Sequence, residues 1–308
     1  MSEHIHTHED SEFMEQSKYD QALGHYKLEV DETSVKRRLE TILNECLQDN
    51  DTDEVKRFIF NSLELTSLSV TDTEESILKL VENVNRFDTE YPELGNVASV
   101  CVYPNFAQIC HDSLENENVK VVCVSGNFPS SQTFTEIKVA ETAMAVHDGA
   151  DEIDIVIPVG KFISGDYEGF SDEISELKEV CSGKKLKAIL EVGALGSYTN
   201  IRKSSILSMY AGADFIKTST GKIGVSAFPE AAFVMCEAIR DYYNETGIRI
   251  GFKPAGGIRT VHDALVYYTI YKKILGEEWL NNDLFRIGAS SLANNLLSDI
   301  QGKEVSFF

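Results

Sequence analysis

Two lysines near the ends of two apolar runs could do chemistry together. The first lies in Asp214-Phe215-Ile216-Lys217-Thr218-Ser219-Thr220-Gly221-Lys222, the second in Ile248-Arg249-Ile250-Gly251-Phe252-Lys253-Pro254-Ala255-Gly256-Gly257. Each run reads as a short buried strand that opens into a glycine-containing loop. A lysine inside a buried strand is costly unless it is paired or neutral. Two lysines held close together disfavour each other's protonation, and burial adds to the effect. An amine neutral near physiological pH is a free nucleophile, which a Schiff base with a carbonyl substrate requires. The bland alternative is a pair of structural lysines neutralised by acids.

Such side chains need a scaffold that brings strand ends together. Apolar strand candidates lie near 58–65, 97–103, 119–125, 151–158, 185–192, 213–219, 248–254 and 284–288, with amphipathic segments between them. One segment, 131–148, offers Thr133 and Glu136 as a capping box and places Ile137, Ala140 and Met144 on one face. Another, 229–245, has Pro229 at its first position and Gly247 just past its end. A last helix spans about 290–300. Eight strands alternating with helices predict a (β/α)₈ TIM barrel over 58–308. No glycine-rich dinucleotide turn follows the first strand, which argues against an open doubly wound sheet. Residues 1–57 read as a polar tail and a helical extension, with helices near 32–47 and 51–60 and a capping box at Asp51 and Glu54.

A short repeat fixes side-chain phase. Gly149-Ala150-Asp151 and Gly212-Ala213-Asp214 each close a helix and start a strand, and Asp154 and Lys217 follow each aspartate at the same offset. If one points into the barrel, so should the other. Asp154 is thus a candidate for proton transfer beside Lys217, or simply a carboxylate that pairs with it. Gly256-Gly257 after the seventh strand and Gly288-Ala289-Ser290-Ser291 after the eighth form a second constellation. Backbone N–H groups, serine hydroxyls and a helix N-terminus there suit a phosphate, at the loops where barrels often place one.

The chain has 308 residues and a formal charge of −22, which argues against nucleic acid or an anionic membrane as partner. A phosphorylated substrate would need a local basic pocket, which Lys217, Lys222, Lys253 and Arg259 could supply. The six cysteines are scattered with no CxxC pair, so free thiols in a reducing cytoplasm are expected, not a disulfide framework or a zinc site. No apolar stretch is long enough to span a bilayer, and the N-terminus shows no secretory pattern. The alternating His4, His6 and His8 read as solvated tail residues, not as a metal site.

The two lysine motifs, with Gly149-Ala150-Asp151-Glu152-Ile153-Asp154 and Cys101-Val102-Tyr103-Pro104, closely resemble the deoxyribose-phosphate aldolases. The resemblance runs from about residue 58 to the end. It implies a class I aldolase that uses neither metal nor cofactor. Its substrates would be 2-deoxy-D-ribose 5-phosphate, acetaldehyde and D-glyceraldehyde 3-phosphate. Lys217 would form the imine, Lys253 lower its pKa, and Asp154 relay protons. Gly221, Lys222, Gly256, Gly257, Gly288, Ser290 and Ser291 would hold phosphate, with Thr218 and Cys101 near the pocket. Relatives are often dimers, although no interface is legible in the residues.

Three departures from the family pattern stand out. Glu64-Leu65-Thr66 replaces Asp-Leu-Thr, and the extra methylene should displace that carboxylate. Val192-Gly193-Ala194-Leu195 replaces Thr-Gly-Glu-Leu, so a hydroxyl and a carboxylate should be missing at the barrel mouth. The chain ends in Phe307-Phe308 where many relatives carry a tyrosine that assists proton transfer, and a terminal phenyl ring could fold over the pocket. The alternatives left open are a lysine aldolase for another aldehyde and a barrel that binds a sugar phosphate without turning it over.

Overall fold

The computed structural model describes residues 18–308, so His4, His6 and His8 lie outside the described residues. Three helices precede the barrel: α1 (Lys18–Gly24), α2 (Glu32–Cys46) and α3 (Asp53–Asn61). The strands are β1 (Leu63–Thr66), β2 (Ser99–Val102), β3 (Lys120–Ser125), β4 (Glu152–Val156), β5 (Lys185–Ile189), β6 (Phe215–Lys217), β7 (Gly251–Lys253) and β8 (Ile287–Ala289). Between and after them run α4 (Glu74–Glu90), α5 (Ala107–Ser113), α6 (Thr135–His147), α7 (Val159–Ser164), α8 (Tyr167–Val180), α9 (Tyr198–Tyr210), α10 (Pro229–Thr246), α11 (Val261–Leu275) and α12 (Leu292–Gln301).

All named strand pairs are parallel, in the order β7-β6-β5-β4-β3-β2-β1-β8. Parallel bridges Phe252↔Phe285 and Ala255↔Gly288 join β7 to β8 and close the ring. This is the (β/α)₈ barrel that the alternating pattern predicts.

Period-2 alternation sorts each strand into two layers. Leu63 and Leu65, Val100 and Val102, Ile153 and Ile155, Leu186 and Ala188, Ile216, and Phe252 join the apolar layer shared with the helices. The alternate positions Glu64, Glu152, Asp154, Lys187, Lys217 and Lys253 are buried and polar. Cys101, Val122 and Val124 form a small separate apolar cluster with Leu68. The inside of this barrel is therefore ionic on one side, where most barrels pack branched aliphatics.

The Gly-Ala-Asp repeat acts as a strand starter. Gly149 and Gly212 have φ of 103° and 98°, which a side chain would resist. The carboxylates of Asp151 and Asp214 accept from the backbone N–H groups of Val121 and Leu186, at 3.1 and 2.7 Å, on the preceding strands. Asp154 and Lys217 consequently emerge in the same phase. Pro229 opens α10, and Gly247, with φ of 73°, closes it.

Four local expectations fail. The first strand begins only at Leu63, because α3 continues through 58–61 and buries Ile59 and Phe60. The cap of α3 is Thr52, whose hydroxyl accepts from Val55 N; Asp51 instead pairs with Lys56 at 2.8 Å. Helix α6 starts at Thr135 behind Phe134, with no side-chain cap. Its buried face is Lys138, Thr142 and Ala145, while Ile137 and Met144 are exposed and Ala140 lies with them. That inversion has a polar cause. Lys138 Nζ bonds Glu173 at 2.6 Å and Thr142 shares a hydrogen bond with Ser125 at 2.9 Å, so the polar face turns inward.

The extension packs on the outer layer. Helix α2 lies against α10 and α11, α3 against α11 and α12, and α1 against α8 and α9. Asn50 donates to Thr269 Oγ1 at 2.9 Å, a buried tie between extension and barrel. No helix of the described residues is long and apolar enough to cross a membrane.

Candidate active site

Seven buried charged groups meet inside the barrel. Lys217 Nζ and Lys253 Nζ each donate to Asp154 Oδ2 at 2.7 Å. Lys253 also donates to Glu64 Oε2. Lys187 Nζ lies 3.0 Å from Asp154 Oδ1, 3.1 Å from Glu64 and 2.7 Å from Glu152. Arg286 closes the set with bonds to Glu64 at 3.2 Å and to Glu152 at 3.1 and 3.3 Å. Adjacent strands make these meetings possible, because Lys217 pairs in register with Lys253 and with Ile189, and Asp154 with Lys187.

Charge bookkeeping singles out one amine. Three carboxylates face four bases, one cation too many if every base is protonated, and buried charge must be balanced. Burial drives the Lys217 pKa down, and Lys253 adds to this, against the pull of Asp154. Burial acts the same way on Lys253, but Asp154 and Glu64 together outweigh it and raise its pKa. Burial opposes the charged form of Asp154, yet Lys187, Lys217 and Lys253 hold its pKa well below the usual carboxylate range. Glu152 overcomes burial through Lys187 and Arg286 and falls to about 2. Lys217 is the base most easily freed of its proton, and its release leaves the cluster balanced.

A cavity of about 500 Å³ opens above Lys217. Gly221, Lys222, Gly256, Gly257, Gly288, Ser290, Ser291 and Arg259 line it, together with Thr66, Ser67, Ser69 and Thr220. Gly221 and Gly256 pack against each other: a side chain on Gly256 would strike Ser226 and the Gly221 backbone. Ser290 and Ser291 precede α12, so its N-terminus faces the same opening. Lys222 Nζ spans the mouth to the carbonyl of Leu68 at 2.5 Å. The site thus joins an amine of lowered pKa to a rim suited to an anion.

Two expected residues stand apart from this lining. Thr218 Oγ1 donates to Ala255 O at 3.0 Å and accepts from Ala255 N at 2.9 Å, stapling the β6 and β7 exits together. Cys101 is fully buried in the barrel, where burial pushes its thiol up to about 11. Glu64, Cys101 and Asp154 have the spacing of a metal site. Their carboxylates are already engaged by Lys187, Lys253, Lys217 and Arg286, which fits an ion-pair cluster better than a cation site.

Residues 63–295 match the model of the DeoC/LacD family aldolases. The human deoxyribose-phosphate aldolase is 42% identical over 252 residues, covering 78% of this chain and 77% of its own. The chain belongs to the DeoC/LacD aldolase family. Among solved structures, an aldolase called QR15 superposes with a TM-score of 0.65 at 27% identity, over 79% of this chain and 96% of its own. The tetrameric deoxyribose phosphate aldolase of Aeropyrum pernix gives 0.64 at 25% identity, over 88% and 98%.

The three departures from this family's pattern look different in the structure. Glu64 is not displaced from the inner network; its carboxylate bonds Lys253, Lys187 and Arg286 together. No carboxylate stands at Ala194, but Glu191, three residues before it, brings one to Thr220 at the cavity rim, accepting from Thr220 N at 3.3 Å and Thr220 Oγ1 at 2.5 Å. Phe308 does not cover the cavity. Its ring stacks on Phe87 at 5.6 Å and lies 6.3 Å from Phe60, which precedes β1, and Asn294 pins its backbone.

Sequence reasoning missed Lys187, Glu152, Arg286 and Glu191. The first three carried a usable signal: each alternates with apolar neighbours in a strand or at its edge, in the phase of Asp154 or Glu64. Glu191 carried none, because its role depends on a left-handed backbone (φ 52°, ψ 57°) just past β5. That conformation costs a side-chain-bearing residue of order 1–2 kcal/mol, so its surroundings must hold it there.

Proposed function

We propose that this aldolase reversibly cleaves 2-deoxy-D-ribose 5-phosphate to acetaldehyde and D-glyceraldehyde 3-phosphate through an imine on Lys217. The observation that carries the reading is the shared Asp154 oxygen: two lysines use it, and only Lys253 has a second carboxylate to keep its proton.

Neutral Lys217 Nζ attacks C1 of the open-chain sugar, and loss of water gives the iminium. A base removes the C3 hydroxyl proton, and the C2–C3 bond breaks. Its electron pair moves into the iminium and leaves an enamine on Lys217, while C3 departs as the aldehyde of glyceraldehyde 3-phosphate. Protonation of the enamine at C2 and hydrolysis release acetaldehyde and restore the amine. Asp154, bonded to both lysines, would pass the protons, directly or through water. Lys253 stays cationic and favours the neutral form of Lys217. The phosphate would sit at Gly221, Lys222, Gly256, Gly257, Gly288, Ser290 and Ser291, with Arg259 at the rim. Thr218 would hold the two strand exits in register, and Cys101 would take no part in bond making. The six free thiols suit a reducing compartment such as the cytoplasm.

Borohydride reduction in the presence of acetaldehyde, followed by peptide mapping, tests the reading. An ethyl group on Lys217 is expected, and Lys217→Ala should retain the fold but lose both adduct and turnover. A folded protein that yields no adduct, or an active Lys217→Ala variant, would overturn it. A panel of phosphorylated sugars then separates deoxyribose 5-phosphate from other aldehyde donors.

A further inference from the structure

We infer that Glu191 is the positioning residue for the anion-binding loop after β6, and that it sets how strongly a phosphorylated sugar is preferred over an unphosphorylated one. The inference rests on the phosphate-site reading above.

The loop after β6 carries Thr220, Gly221 and Lys222, which line the cavity. Its backbone is tied to the loop after β5 at three points. Val192 N donates to Thr218 O at 3.0 Å. The Glu191 carboxylate takes both the N–H and the hydroxyl of Thr220. Gly193 packs so closely on the Val225 carbonyl that a side chain there would collide with it. Glu191 is the centre of this brace and is buried, 4% exposed.

The hydrogen bonds run in one direction. Lys222 N–H donates to Thr220 Oγ1 at 3.0 Å, and that hydroxyl donates onward to Glu191. With its proton committed to the carboxylate, Thr220 Oγ1 presents a lone pair to Lys222 N–H and fixes the turn through Gly221. Gly221 has φ of 76° and touches Gly256 on the next loop, so the same brace registers the two glycine turns against each other. Glu191 is not among the residues that line the cavity, and its carboxylate is taken up by Thr220, so it acts through Thr220. Its backbone is left-handed, and from that conformation the carboxylate reaches Thr220.

The test compares kcat/KM for deoxyribose 5-phosphate with that for deoxyribose, alongside calorimetric titration with inorganic phosphate. In Glu191→Ala the ratio of the two kcat/KM values should fall about tenfold, mostly through KM, and phosphate affinity should weaken by a similar factor. Glu191→Gln keeps one acceptor oxygen for the Thr220 hydroxyl and should lie between wild type and Glu191→Ala. A merely structural role would lower both substrates together and leave the ratio unchanged, which would overturn the inference. Unaltered phosphate affinity in a folded Glu191→Ala, or no phosphate binding by the wild type, would overturn it too. If the wild type binds phosphate but turns over neither sugar, the aldolase reading fails, and the phosphate titration alone still decides the role of Glu191.

Discussion

Lys217 and Lys253 donate to one and the same oxygen, Oδ2 of Asp154, each at 2.7 Å. What separates them is Glu64, which bonds Lys253 and not Lys217. A shared acceptor makes the two amines compete for one counter-charge, and the second carboxylate decides the competition. Lys253 therefore holds its proton more tightly and Lys217 less. The two lysine motifs alone pointed to one depressed amine; the position of Glu64 gives the physical reason why it is Lys217.

The first consequence concerns pH. In the proposed mechanism Lys217 acts as the neutral amine, so kcat/KM should rise as pH rises through its lowered pKa. Lys253→Met removes the repulsion that helps lower it and leaves Asp154 more available to Lys217. The Lys217 pKa should then rise and the ascending limb of the profile move to higher pH, so that activity lost at neutral pH is partly recovered in alkali. A pH profile of single-turnover imine formation measures this. A limb that stays in place, with only its height reduced, would show that Lys253 acts on some other step.

The lower part of the cluster should act mainly on stability. Glu152 has its pKa brought from 4.5 to about 2, through Lys187 and Arg286 and against burial. A carboxylate depressed by folding stabilises fully above its unfolded value, and the contribution is lost as pH falls through the folded one. Glu152→Gln leaves Lys187 and Arg286 short of one counter-charge and should cost about 3–5 kcal/mol at neutral pH, as broken buried pairs do. Between pH 4.5 and about 2 the gap between wild type and variant should close. Urea unfolding at pH 7 and pH 3 checks this; a gap independent of pH would mean that shape, not charge, is what Glu152 contributes.

The barrel was legible because its signals are local. Short apolar strands, the Gly-Ala-Asp starters and the caps Pro229 and Gly247 each act within a few residues, and the structure places them as read. Asp154 and Lys217 could be brought together on phase, and Lys253 by its place near the end of the next strand. Failures occurred where a distant partner overrides the local pattern. Helix α6 turns its polar face inward because Glu173 and Ser125 lie there. Helix α3 runs through 58–61 because α11 and α12 offer a surface for it. Glu191 was invisible because a left-handed residue outside any turn motif leaves no mark in a pattern of apolar residues.

Lys222 offers a test of the rim that leaves the imine machinery alone. Its ammonium reaches the Leu68 carbonyl at 2.5 Å while the side chain stays largely exposed, so it contributes little to stability. With a phosphorylated sugar in place, the same ammonium is expected to exchange that neutral acceptor for a charged one, a stronger partner. Lys222→Met should raise KM for deoxyribose 5-phosphate by about tenfold to a hundredfold, with the melting temperature unchanged and the acetaldehyde adduct on Lys217 still forming. Equal loss of adduct formation would show that Lys222 serves the reaction centre and not the phosphate.

The C-terminus gives the last test, because the structure places it away from the cavity. Phe307 and Phe308 pack with Phe87 and Tyr91, with ring centroids 5.0–5.6 Å apart along the chain of contacts. Asn294 accepts from both backbone N–H groups and donates to the Phe308 carbonyl. A ring held in this way cannot move a proton at the enamine carbon, nor can a hydroxyl added to it. Phe308→Tyr should therefore leave the exchange of the acetaldehyde methyl protons with solvent unchanged. Phe308→Ala should lower stability by about 1–3 kcal/mol, since the ring is only partly buried, and should leave that exchange within about twofold of wild type. Proton exchange followed by NMR in deuterated buffer, beside thermal unfolding, separates the two roles. Faster exchange in Phe308→Tyr would show that the tail leaves its aromatic seat and reaches the site during turnover.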